Sequence, residues 1–337
     1  MLDHLAKLPD VRCLSSEEQE KYDESIKAVI PDDEEIEIKQ NINYNENSEK
    51  MIQITMLGTG NATVSQIYNT CFLLQTSSTL LLVDAGGGNG ILSQLKKVNV
   101  QISDIHHLFV THAHTDHVLG VIWVIRMVAQ CKGYEGLLHV YGNDKVMKVI
   151  KTIIDMILAK KQLVKVAERV VFHQLEDGDC FEVGDMKLEC FDIQSTKEKQ
   201  FGFRAELPGT SEDNVSEDKT ASDKAASENH AKPLVLACLG DEPYNEQNRR
   251  YIEGADWMMC EAFCLYADRD TFKPYEKCHS TALDAGKLAE ELGVKNLILY
   301  HTEEKTLATR KEKYTREAAE NFKGRIFVPD DLEVIEL

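Results

Sequence analysis

From residue 51 onward the chain alternates short apolar runs with turns stopped by glycine. MIQITMLGTG, NTCFLLQ and TLLLVDAGGG read as strands. NGILSQLKKVNV carries its apolar residues at helical spacing, and HHLFVTH is a strand that runs straight into a histidine-rich segment. The stretch after it, VLGVIWVIRMVAQ, predicts a buried helix. LLHVYG predicts a further strand and residues near 143–161 a helix. RVVFHQL, DGDCFEVGD and MKLECFDIQ are strands separated by Gly-Asp turns, followed by QFGFRAEL. The C-terminal third gives a strand LVLACLG, a helix, the apolar segment WMMCEAF and a helix TALDAGKLAEELG. A strand NLILYH, a helix near 307–322 and a closing RIFV and LEVIEL complete it. Strands with helices interleaved place the chain in the α/β class, and two sheets faced by outer helices satisfy the pattern.

Two stretches fall outside this rhythm. Residues 1–50 hold 14 acidic against 6 basic side chains, with little apolar periodicity, and read as an acidic, partly helical appendage. Residues 208–232 are rich in Ser, Asp, Glu and Lys and read as a polar insertion within a domain spanning 51–337. The whole chain carries a formal charge of −19, so it repels nucleic acid globally. No window approaches the ~18 unbroken apolar residues of a membrane span. The first residues, MLDHLAKLPD, lack the pattern of a secretion signal. Nine cysteines are scattered without a CxxC pair, which fits free thiols in a reducing cytoplasm.

The chemistry concentrates at THAHTDH, residues 111–117, where His112, His114, Asp116 and His117 crowd together. The segment is either a polar turn that happens to be rich in histidine or a metal-binding loop. In a strand-to-turn segment His112 and His114, two apart, aim at one point. Asp116 and His117, past the bend, aim at a second point close by. Imidazole and carboxylate suit zinc or a similar divalent ion. Four residues do not complete two metal sites, so other ligands are required. Asp241 follows the apolar run LVLACLG, and His301 ends NLILY; both stand where an apolar strand breaks into a polar group.

THAHTDH, the GDE turn at 240–242 and the YH at 300–301 together resemble the metallo-β-lactamase superfamily. MLGTGNA, YNTCFLL, LLLVDAGGG, CEAF and HSTALDAGKLAEELGVKNLILYH are similar to its ribonuclease Z branch. The resemblance covers about Met51 to Leu337. It implies an αββα sandwich of two mixed β-sheets flanked by helices, with one or two zinc ions at one edge (manganese or iron as alternatives). It implies that His112 and His114 hold the first metal, that Asp116, His117 and His301 hold the second, and that Asp241 bridges them. It further implies a metal-activated water attacking a phosphodiester, with Asp116, Glu261 and His279 as the catalytic residues. Glu261 and His279 match an acidic–imidazole pair that protonates the leaving oxygen.

The chain departs from that pattern in three places. The family supplies a further histidine to the first metal before its arm insertion, yet none lies between His173 and His230. The position falls on Gln194, or on Ser195 or Thr196 if the register slips, and an amide oxygen is a weak zinc ligand. His173, ahead of the DGD turn, is not expected to substitute. Cys260 and Cys278 lie nearby in sequence, but both are expected to be ordinary free thiols. The long tRNA-gripping arm is replaced by the short acidic 208–232, and an Arg-Tyr pair after the last histidine is missing, so tRNA processing is not expected. The expected function is a metal-dependent hydrolase of ribonuclease Z type acting on a phosphodiester. The alternatives are a carboxylic ester, thioester or lactone hydrolase, or a metal-binding sensor with weakened catalysis. A homodimer is left open as the assembly.

Overall fold

A computed structural model describes residues 51–209 and 232–337. The acidic appendage at 1–50 and most of the polar insertion at 208–232 lie outside the described residues. The first sheet has seven strands, in the order β14-β1-β2-β3-β4-β5-β6. Their ranges are β1 Gln53–Gly58, β2 Cys71–Gln75, β3 Leu80–Val83, β4 His107–Phe109, β5 Leu138–Gly142, β6 Val170–Gln174 and, from the far end of the chain, β14 Val334–Glu336. The second also has seven, in the order β13-β12-β11-β10-β9-β8-β7. These are β7 Cys180–Val183, β8 Met186–Asp192, β9 Phe201–Leu207, β10 Leu234–Cys238, β11 Trp257–Glu261, β12 Asn296–Tyr300 and β13 Arg325–Phe327. Both sheets are mixed: β3 to β6 run parallel, as do β10 to β13, while the remaining pairs are antiparallel.

Four longer helices pack on the first sheet: α1 Gly90–Lys97, α2 Thr115–Gln130, α3 Asp144–Ile157 and α4 Lys160–Arg169. Two more, α5 Ala282–Glu291 and α6 Arg310–Ala318, belong to the second. The expected single helix near 143–161 is two. The chain leaves helical geometry at Leu158 and Ala159, and Gln162 closes the new start by accepting the Ala159 N–H. Neither glycine nor proline marks that break, so the pattern concealed it.

The two-residue period of the strands explains the layering. In β3, Leu81 and Val83 face the space between the sheets, whereas Leu82 faces the helices. In β12, Ile298 and Tyr300 point inward and Leu297 and Leu299 outward to α5 and α6. Each central strand is therefore apolar on both faces. Three apolar layers result: α1 to α4 on the first sheet, sheet on sheet, and α5 with α6 on the second. This is the αββα sandwich that the resemblance implied. Among the described residues no helix is long and apolar enough to cross a membrane.

Candidate metal centre

The ends of the parallel strands of both sheets meet at one edge of the sandwich, the usual site position in α/β folds. Asp84 follows β3, His112 follows β4, Asp241 follows β10, Glu261 ends β11 and His301 follows β12. His114 caps the start of α2, so Asp116 and His117 lie in its first turn. There the helix dipole favours a carboxylate. Gly120, one turn on, donates its N–H to Gly86 O. A Cβ at Gly120 would stand 1.8 Å from Ala85 O, so only glycine lets α2 press onto the loop after β3. Asp84 and His301 both adopt left-handed backbone, with φ of 54° and 58°. Such backbone is costly for side-chain-bearing residues and tends to collect at functional sites.

Two groups of side chains that share Asp241 converge here, and a third, of Glu261, His279 and His301, adjoins them. The ligand atoms of Asp116, His117, Asp241 and His301 lie within 4.8 Å of one another, and those of His112, His114 and Asp241 do likewise. Asp241 is common to both, its Oδ2 lying 3.6 Å from His112, 3.3 Å from His117 and 3.4 Å from His301. Its other oxygen accepts the amide N–H of buried Gln200. The six residues that the resemblance implied as ligands are thus brought together.

The hydrogen bonds around the rings fix which nitrogens face inward. Thr111 Oγ1 donates to Asp84 Oδ2 at 2.8 Å, so it accepts from His112 Nδ1 at 2.9 Å. His112 Nε2 is left as a lone pair, 2.8 Å from His114 Nδ1. His117 Nδ1 donates to Asp84 Oδ2 at 2.7 Å, which turns Nε2 toward Asp116 and Asp241. Asp84 was missed in the sequence, although it ends an apolar strand just as Asp241 does.

Charge balance also points to a cation. Asp84, Asp116, Asp241 and Glu261 are all buried, a concentration of negative charge that is costly without a positive partner. Burial pulls His301 down, but Asp116, Glu261 and Asp241 outweigh it and hold the ring up to about 9. Burial likewise lowers His117, yet Asp84, Asp116 and Asp241 raise it well above the imidazole range. Asp241 is held well below the carboxylate range by His112, His117 and His301, against the opposing effect of burial. The buried His117 Nε2 and both ring nitrogens of His301 have no hydrogen-bond partner. A divalent cation satisfies these nitrogens and carboxylates together, so the residues present fit a divalent metal.

Beside this centre His279 Nδ1 lies 2.8 Å from Glu261 Oε2, and Ser280 N–H binds Glu261 Oε1 at 2.6 Å. The His279 ring stacks on Phe263, with centroids 4.7 Å apart and planes 4° apart. A cleft of about 610 Å³ opens over the metal edge, lined by His114, Asp116, His279 and His301 and, on its other sides, by Asn61, Lys197, Phe263 and Lys277.

The structure corrects the placement of Gln194. Its side chain is exposed, its φ is 61°, and it is absent from the cleft wall. The segment 194–200 instead sends Lys197 to the cleft, Glu198 toward His114 and Gln200 to Asp241. These three carried no sequence signal, because a loop has no period to betray which side chains turn inward. His173 pairs with His139 on β5, at 2.8 Å, apart from the cluster. Cys260 is buried in the outer apolar layer of the second sheet, and Cys278 is half-buried; neither joins a ligand group.

The chain is similar to known proteins of the same fold. A ribonuclease Z of Methanothermobacter thermautotrophicus is 25% identical over 314 residues, covering 85% of this chain and 97% of that protein. The metallo-β-lactamase fold protein YhfI of Bacillus subtilis superposes with a TM-score of 0.61 at 19% identity, covering 85% of this chain and 99% of that one. A diphosphatase of the PhnP family does so with a TM-score of 0.61 at 18% identity, covering 85% and 98%. The fold is that of the metallo-β-lactamase superfamily, ribonuclease Z-like branch. The family described as Anti-Pycsar protein Apyc1 matches residues 52–230, just over half of the chain, and the protein belongs to that family.

Proposed function

We propose that this protein is a zinc-dependent hydrolase of a small phosphodiester. The observation that carries the reading is the pair of ligand groups sharing Asp241 on the floor of a cleft whose walls include Lys197 and Lys277. His112, His114 and Asp241 would hold one ion, and Asp116, His117, His301 and Asp241 the other. When bound, zinc there supplies a Lewis acid for the phosphoryl oxygens and makes water acidic enough to react near neutral pH.

The chain's own groups account for the rest of the reaction. Lys197 and Lys277 draw an anion into the cleft and favour a phosphate over a neutral lactone or ester. Lys197 is partly balanced by Glu242 at 3.5 Å, whereas the Lys277 Nζ lies 5.1 Å from the centre of the Phe263 ring. Buried Glu261 holds His279 by Nδ1, which leaves Nε2 available to the cleft. His279 gives its Nε2 proton to the departing oxygen and ends as neutral imidazole, still donating Nδ1–H to Glu261. Asp116 Oδ2, 3.3 Å from His117 Nε2 and 3.9 Å from His301 Nε2, orients both rings and lines the cleft. The ribonuclease Z and diphosphatase relatives support phosphate-ester chemistry.

The test is turnover of three substrates by the purified protein: a bis-aryl phosphate, an aryl lactone and a structured precursor RNA. The phosphate diester should be hydrolysed fastest. Preferential lactone hydrolysis would overturn the reading, and efficient cleavage of the RNA would overturn the restriction to a small substrate.

A further inference from the structure

We infer that Glu198 is the positioning residue of His114: its carboxylate holds the outer nitrogen of that ring so that Nδ1 faces the first metal group. The inference rests on the metal reading above and adds a residue to it. Three of the four histidines have their outer nitrogen facing a group deep in the fold. His117 faces Asp84, His112 faces Thr111 backed by Asp84, and His301 Nδ1 lies 3.8 Å from Glu261. His114 differs, because its side chain is 38% exposed. Its Nε2 lies 3.5 Å from Glu198 Oε2.

Glu198 is placed for this task. Its side chain is only 8% exposed. Its Oε1 accepts the N–H of Ala113, the residue between the two histidines, at 3.1 Å. Lys145 Nζ sits 3.0 Å from Oε2, and the Glu198 N–H donates to Ser195 Oγ at 3.2 Å. A simple surface ion pair with Lys145 would leave the carboxylate in solvent, since Lys145 is itself half-exposed. Instead the carboxylate turns inward to the His112–His114 segment. There it favours the proton on Nε2, and so turns Nδ1, 2.8 Å from His112 Nε2, toward the first metal group. Carboxylates behind ligand histidines orient them in this way, and their loss commonly costs ~10–100-fold in metal affinity. Where the resemblance calls for a third histidine, this loop brings no imidazole; it brings the group that orients one already present.

The experiment uses the full chain, stripped with a chelator, as wild type, Glu198→Ala, Glu198→Gln and Lys145→Ala. Nitrogen-15 NMR of the histidine rings reads the His114 tautomer without metal, and a competition titration then reads zinc binding. Wild type and Lys145→Ala should show His114 with Nε2 protonated. Glu198→Ala should show a mixture and weaken one zinc step by ~10–100-fold while the other holds. Glu198→Gln, which keeps an acceptor, should fall between. An unchanged tautomer in Glu198→Ala overturns the assignment, as do two zinc steps that weaken equally. If wild type takes up a single ion, the two-metal reading fails while the tautomer comparison still decides the role of Glu198.

Discussion

Asp84 Oδ2 and His117 Nδ1 lie 2.7 Å apart, and the same oxygen accepts the Thr111 hydroxyl that in turn accepts from His112. One carboxylate thereby sets the tautomer of a histidine in each ligand group. All three groups that meet Asp84 are donors: the Thr111 N–H, the Thr111 hydroxyl and His117 Nδ1. Asp84→Asn tolerates the left-handed backbone but turns an amide N–H₂ against one of them. Metal affinity at both groups should fall by ~10–100-fold, read by competition with a chromophoric chelator. Unchanged affinity would remove Asp84 from this role.

Gln194→His should leave metal affinity and stoichiometry as they are. The side chain at 194 is exposed and off the cleft wall, so a new imidazole there meets solvent. A rise in zinc affinity in a side-by-side titration would show that the loop can carry residue 194 to the metal edge.

His279→Ala should lower kcat by ~10²–10⁴-fold with metal content intact, because it removes a proton donor that touches neither ligand group's shared carboxylate. Elemental analysis alongside the rate measurement separates the two effects. Loss of metal in step with activity would make His279 a ligand rather than an acid.

Much of the architecture was legible because both sheets are buried on two faces, which turns each central strand into a short apolar run. The candidate ligands His112, Asp241 and His301 were legible for a related reason, since each follows an apolar strand, and His114, Asp116 and His117 were legible from their crowding just after His112, where the chain turns into α2. Asp84 obeys the same rule in VDAGGG and was overlooked. The break between α3 and α4 was not legible, since Leu158 and Ala159 are ordinary helix formers and only the Gln162 contact marks the new start. Glu198 and Gln200 were hidden for a different reason. Their roles depend on how the 194–200 loop folds back on Asp241 and Ala113, and no local spacing records that.

The metal-free protein should lose stability as pH rises from 6.5 to 8.5. His301 is held up to about 9 by Asp116, Glu261 and Asp241, against a value near 6.5 in the unfolded chain. Between those values the folded state binds the extra proton, so its stabilising share is complete below 6.5 and drains away as pH climbs toward 9. His117, raised for the same reason, acts in the same direction. With metal bound, the ring nitrogens hold the ion in place of protons, and the slope should flatten. Melting temperatures of stripped and zinc-loaded protein across this range check it; parallel slopes would contradict it.

The central claim is a metal pair bridged by Asp241, and the most direct test is zinc stoichiometry in wild type and Asp241→Asn. The account predicts two equivalents per wild-type chain and fewer in Asp241→Asn, with hydrolysis of a bis-aryl phosphate lost on stripping and regained on adding zinc. Two equivalents retained in Asp241→Asn, or wild-type hydrolysis that survives complete removal of metal, would contradict it.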